Sequence, residues 1–164
     1  MATVEADFDL FSCSQEKNQP TDDYYKVFAS CVDTINANGG QAGLHLAVYQ
    51  RHLKMLIATE LVKTNTDFTF LDDAAKVALK TKFEEPARET SCSEYLACLF
   101  LLLADNDRFE PLKQEINNAF LMGGETEQYP KDVLAAKRLI TDFSPPVAVR
   151  PAMERDPATD VAFV

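Results

Sequence analysis

The chain has 164 residues, of which 46% are hydrophobic, with 5 Gly against 11 Phe; that balance suits a packed helical domain and excludes a disordered or turn-rich β chain. Its formal charge is −10 and no basic run exceeds two residues, which excludes nucleic-acid binding through clustered Lys and Arg. The longest apolar run, residues 96–104, is far shorter than the roughly 20 residues of a membrane span.

The opening segment, MATVEADFDLFSC, is acidic and lacks the apolar stretch of a secretory signal. The four cysteines, Cys13, Cys31, Cys92 and Cys98, form no CxxC pair. A soluble, cytoplasmic protein with reduced thiols is therefore expected. Residues 1–14 read as a short lead whose Phe8, Leu10 and Phe11 can pack on something.

Thr21 is the expected N-cap of a first helix, with Asp22 and Asp23 in its first turn, where the helix dipole favours anions. Tyr24, Phe28, Cys31, Val32 and Ile35 follow at helical spacing, and Gly39-Gly40 closes the segment. A second helix is expected from about Gly43 to Lys63, with Leu46, Tyr49, Leu53, Leu56, Ile57 and Leu61 on one face. After a polar turn, a third spans about 71–83 and is stopped by Pro86.

Ser91 and Glu94 have the spacing of a capping box. The fourth helix that they open, EYLACLFLLLAD, is apolar nearly all round and belongs at the centre of a bundle. A fifth is expected over about 108–122, ending at Gly123-Gly124. A sixth follows Pro130, placed as a first-turn proline. From Ser144 onward four of the eight prolines gather without apolar period. The chain thus divides into an all-α domain of about six helices over 1–143 and a disordered Pro-rich tail over 144–164.

Chemistry-bearing motifs are scarce. His45 and His52 stand seven apart, but no Cys or carboxylate is tied to them at ligand spacing, so they read as one surface and one partly buried histidine rather than a zinc site. Cys31 and Cys98 fall on apolar faces, where Cys acts as a small hydrophobe. Asp22-Asp23 and Asp72-Asp73 sit at helix starts, and the Gly-Gly pairs follow helices instead of strands, the wrong context for a phosphate loop. Neither catalytic residues, nor a metal, nor a cofactor is expected. The residues alone point to an acidic helical domain that acts by contact.

Two segments add a resemblance. Gln15, Pro20, Asp23, Tyr24 and Phe28 fill the pattern Q-x4-P-x2-D-Y-x3-F, which resembles the major homology region of retroviral and retrotransposon capsid proteins. Two positions depart from the retroviral form: Gln19 stands where a Glu is usual, and Val27 where a basic residue is. Downstream, Tyr95, Leu96, Ala97, Phe100, Leu101, Ala104, Asp105, Arg108, Phe109 and Leu112, then Gly123, Tyr129, Pro130, Val133, Ala136 and Leu139, resemble a run in the Gag polyproteins of copia-type LTR retrotransposons. The two segments bracket residues 15–143.

The resemblance implies a retroviral capsid C-terminal-domain-like fold and self-assembly into virus-like particles in the cytoplasm. Its partner is then the chain itself, with element RNA held only through sequence outside this chain and no membrane involved. An upstream capsid domain is also implied. Tyr49, Leu53, Met55 and Leu56 exceed what one core face needs; they are the candidate assembly interface, unless they pack on the third helix. The alternatives are a domesticated Gag-derived protein or another helical adaptor that takes a peptide or protein partner.

Overall fold

A computed structural model describes residues 2–121 and 129–143; the side chains of residues 2, 3 and 120 are left aside. These residues form six helices: α1 (Ala2–Ser12), α2 (Thr21–Ala37), α3 (Leu46–Thr64), α4 (Asp73–Leu102), α5 (Asn106–Leu121) and α6 (Val133–Asp142), with a 3₁₀ turn at Phe68–Phe70. There is no strand among the described residues. The chain is all-α, as its composition implies. The Gly123-Gly124 stop and the tail lie outside the described residues.

The number of helices agrees with expectation, but two differences cancel within it. The opening lead is itself a helix, α1, which buries Ala6 and Leu10 against α2. The expected third and fourth helices are one, α4, which runs 30 residues straight through Pro86. A proline there forfeits one backbone bond and crowds the preceding turn. Packing of α4 against α3 on one side of Pro86 and in the core on the other outweighs that cost. Ser91 therefore caps nothing: it is buried mid-helix, and its hydroxyl donates to the Arg88 carbonyl at 3.0 Å.

Other boundaries shift by a few residues. Pro20, not Thr21, is the N-cap of α2, and its carbonyl accepts from Asp23 and Tyr24 N–H. Pro130 is buried ahead of α6, which Asp132 caps by accepting from Ala135 N–H at 2.7 Å. Asp72 does the same for α4, accepting from Ala75 N–H at 2.7 Å, as its place at a helix start suggested.

The core gathers α1, α2, the C-terminal half of α4, α5 and α6. Phe100 is its hub: fully buried, stacked on Tyr24 with ring centroids 4.5 Å apart, and edge-on to Phe28 at 5.2 Å. Such aromatic pairs add about 0.5–1.5 kcal/mol each beyond their area. By contrast, α3 and the first half of α4 form an antiparallel arm. Within α3 only His52 and Ile57 are buried, and nothing in α4 before Ala87 is. Leu46, expected on the apolar face of α3, is 66% exposed.

The loop into α3 touches α4 at Gly43, where φ is +77° and an added Cβ would stand 2.7 Å from Leu96 Cγ and 2.8 Å from the Cys92 carbonyl oxygen. Gly39 has nearly the same φ, +76°, and open space around it. Gly39→Ala should therefore cost about 1–2 kcal/mol of backbone strain alone. Gly43→Ala should cost about 2–4 kcal/mol, because overpacking adds to the strain. Urea denaturation of the two variants checks the difference; equal losses would mean that α4 moves aside freely.

Candidate functional site

The two family-like segments, far apart in sequence, meet at the C-terminal end of α4. A helix leaves its last carbonyls without internal partners, and here Phe100 and Leu101 are buried, Leu103 is half-buried and Leu102 is 68% exposed. The Tyr24 hydroxyl donates to the Phe100 carbonyl at 2.9 Å. Ala104 N–H turns to Leu101 at 3.3 Å, and the Leu103 carbonyl accepts from Gln15 N–H at 2.9 Å. The Lys113 ammonium donates to the carbonyls of Leu102, at 2.9 Å, and Ala104, at 2.7 Å. A cation there also suits the negative end of the helix dipole. Burial lowers the Lys113 pKa, against the upward pull of Glu110 and Asp105.

Gln15 is buried and clips the loop before α2 to the α4–α5 turn. Its Oε1 accepts from Asp105 N–H at 3.2 Å, and its Nε2 donates to the Gln19 carbonyl at 2.8 Å. Arg108 Nη1 donates to that same carbonyl at 3.1 Å, and Gln19 Oε1 accepts from Glu16 N–H at 3.0 Å. Asp105 is buried, and its Oδ1 accepts from Asp107 N–H at 3.0 Å at the start of α5. The loop is thus closed with a neutral Gln19 where the retroviral pattern has an acid.

The remaining pattern positions divide by burial. Tyr24, Phe28, Leu96 and Ala97 are core; Tyr95 and Tyr129 are half-buried; Pro130 is buried. Pro20 and Asp23 are exposed, Asp23 pairing with Lys26 at 2.9 Å. On α3, Tyr49, Leu53 and Leu56 are half-buried on the flank toward α4, while Met55 is 49% exposed on the other flank with Val62. The four therefore do not form one patch. Leu53, Ile57, Leu61 and Phe68 instead line an apolar groove of about 390 Å3 along the arm.

Where the arm joins the core, Glu94 of α4 takes both Arg51 and His52 of α3. Burial tends to raise the Glu94 carboxyl, but these two partners outweigh it and hold it below the ordinary value. His52 is buried and His45 is exposed, stacked on Tyr95 with centroids 5.3 Å apart; the two do not meet as a ligand pair. Among the described residues no three His, Cys, Asp or Glu gather as a metal site. Burial raises the thiol pKa of Cys13 to about 11, helped by neighbouring Cys31, and also raises those of Cys92 and Cys98. High thiol pKa values work against thiolate chemistry. No described helix is long and apolar enough to cross a membrane.

Sequence reasoning did not find the Gln15–Asp105 clip, the Lys113 cap or the Glu94 junction. Each joins residues that are distant in sequence or lie on faces that periodicity counts as solvent. No protein-family model, curated protein or solved structure matches the chain.

Tyr24→Phe should lose about 1–3 kcal/mol in urea denaturation, because it leaves the buried Phe100 carbonyl unpaired; no loss would mean that water reaches it. The depressed Glu94 carboxyl contributes stability that is present above its ordinary pKa of 4.5 and is lost as pH falls through the lower folded value. Glu94→Gln should therefore lower the urea midpoint near neutral pH, with the gap to wild type closing on acidification. A gap that stays constant with pH would show that the charge is immaterial.

Proposed function

We propose that this chain is the capsid-forming part of a retrotransposon Gag polyprotein of the copia type, a structural protein that assembles with itself into virus-like particles and performs no catalysis. The observation that carries the reading is that the two Gag-like segments contact each other through the residues that make them Gag-like. Gln15 reaches Asp105, Tyr24 reaches Phe100, and Arg108 reaches the loop at Gln19. Such residues hold the fold that presents an assembly surface. RNA is held by sequence outside this chain, in keeping with its charge of −10. The particle would be cytoplasmic.

A shell grows from weak contacts repeated by identical surfaces, and weakness lets errors be corrected. The half-buried Tyr49, Leu53 and Leu56 and the exposed Met55 place apolar area on the arm for such a contact. The arm groove also supports a second reading, a domesticated Gag-derived protein or helical adaptor that takes an amphipathic peptide there.

Light scattering coupled to gel filtration separates them. Copies of charge −10 repel until salt screens them within a Debye length of about 10 Å at 0.1 M. Association should therefore rise with protein concentration and strengthen with added salt, with shell-like particles in electron micrographs of the largest fractions. A strict monomer from micromolar to near-millimolar protein at every salt concentration would sink the assembly reading for this chain and favour the adaptor.

A further inference from the structure

Among the described residues, two apolar surfaces stand exposed, on α1 and along the arm, and they carry opposite charge. On α1, Ala6 and Leu10 face the core at 4% and 2% exposure, while Val4, Phe8 and Phe11 stand on the opposite side at 72%, 72% and 53%. Those three recur at i, i+4 and i+7, which places them on one stripe. Glu5 and Asp7 flank the stripe, Asp9 lies nearby, and α1 has no basic residue. None of these carboxylates is in an ion pair among the described residues.

The arm groove has the complementary character. Its floor is Leu53, Ile57, Leu61 and Phe68, and its charged lining residues are Lys54 and Lys80, with no carboxylate among them. Neither lysine is in an ion pair among the described residues. Both are exposed.

We propose that α1 of one copy docks its Val4–Phe8–Phe11 stripe into the arm groove of a second copy, with Glu5 and Asp7 against Lys54 and Lys80. The inference rests on the reading that the chain assembles with itself, and it names the two surfaces that meet. Like-to-like alternatives are disfavoured by charge. An α1–α1 contact would bring carboxylates together, and an arm–arm contact would bring lysines together. The chain's own α1 is fastened to α2 by Ala6 and Leu10, so it cannot reach its own arm without opening the core. A stripe-to-groove contact either closes reciprocally as a two-fold dimer or, with each copy offering a stripe to one neighbour and a groove to another, grows into rings or open chains. The charged pairs fix orientation while the apolar stripe supplies affinity. Pairs at contact distance are screened less than chain-wide repulsion, so moderate salt still favours association.

The test uses the full chain and two charge-reversed variants, Glu5→Lys/Asp7→Lys and Lys54→Glu/Lys80→Glu, all at exposed positions. Each variant alone places like charges across the contact and should associate at least about tenfold more weakly than wild type by sedimentation. An equimolar mixture should regain association, because each stripe then meets an opposite groove. Regained association on mixing also shows that both variants are folded. Wild-type association with variants unaffected, or with no rescue on mixing, overturns this docking and leaves self-assembly standing. A wild type that never associates overturns both. Phe8→Ser, a truncation of an exposed ring, gives an independent answer: unchanged association overturns the docking.

Discussion

The C-terminal end of α4, which turns Phe100 and Leu101 into the core, is the constraint on which the rest of the molecule depends. A helix this apolar can end inside the protein only if its last carbonyls find donors from elsewhere, since an unpaired buried carbonyl costs about 1–3 kcal/mol. Tyr24 serves Phe100, Gln15 serves Leu103, and Lys113 serves Leu102 and Ala104. These donors come from α2, from the loop before it and from α5. Satisfying one helix end therefore fixes the positions of three other segments. The aromatic cluster around Phe100 adds affinity to that arrangement, but the carbonyls set its register.

The arm follows from the same helix. Because the C-terminal half of α4 is committed to the core, its first half projects outward, and α3 is the main element packed along it. Two helices can cover only one stripe of each other, so Met55, Val62 and Val77 remain between 49% and 80% exposed. Glu94 stands at the boundary, tied to Arg51 and His52. It is where the arm's position relative to the core is set electrostatically. Pro86 falls just outside that boundary, where loss of one helical bond faces solvent and is cheapest.

Much of this core was legible in the sequence. Tyr24, Phe28 and Ile35 recur with helical period and are all buried, and the run from Leu96 to Leu101 announces a central helix because no face of it is polar. What was not legible is what pattern reasoning treats as punctuation. Pro86 and the Ser91–Glu94 spacing signal a boundary only when local preference decides, and here tertiary packing overrides both. The lead over residues 1–14 turns out to be α1, and of its large apolar residues Leu10 faces inward beside the smaller Ala6 while Phe8 and Phe11 face out. Of the four residues offered as an interface, Leu53 lines the arm groove while Met55 lies on another face of α3, since each step along a helix turns the side chain by about 100°. Lys113 carries no sequence signal at all; its role exists only where the Leu102 and Ala104 carbonyls and Asn106 Oδ1 converge.

Large exposed apolar residues on α1 and the arm lie outside the core of a single copy. Contiguous patches of this kind mark contact surfaces or aggregation hazards. The charge of −10 bears on which of the two they become. It holds copies apart at long range, where repulsion is felt before any surface touches, while the local arrangement of Glu5, Asp7, Lys54 and Lys80 is attractive at contact. A long-range barrier combined with a short-range, oriented attraction suppresses random collapse and admits only approaches that match stripe to groove. On the proposed reading, the acidic composition that first excludes nucleic-acid binding also makes assembly selective, and the division between a tightly capped core and an apolar, cationic arm is what lets one small chain do both.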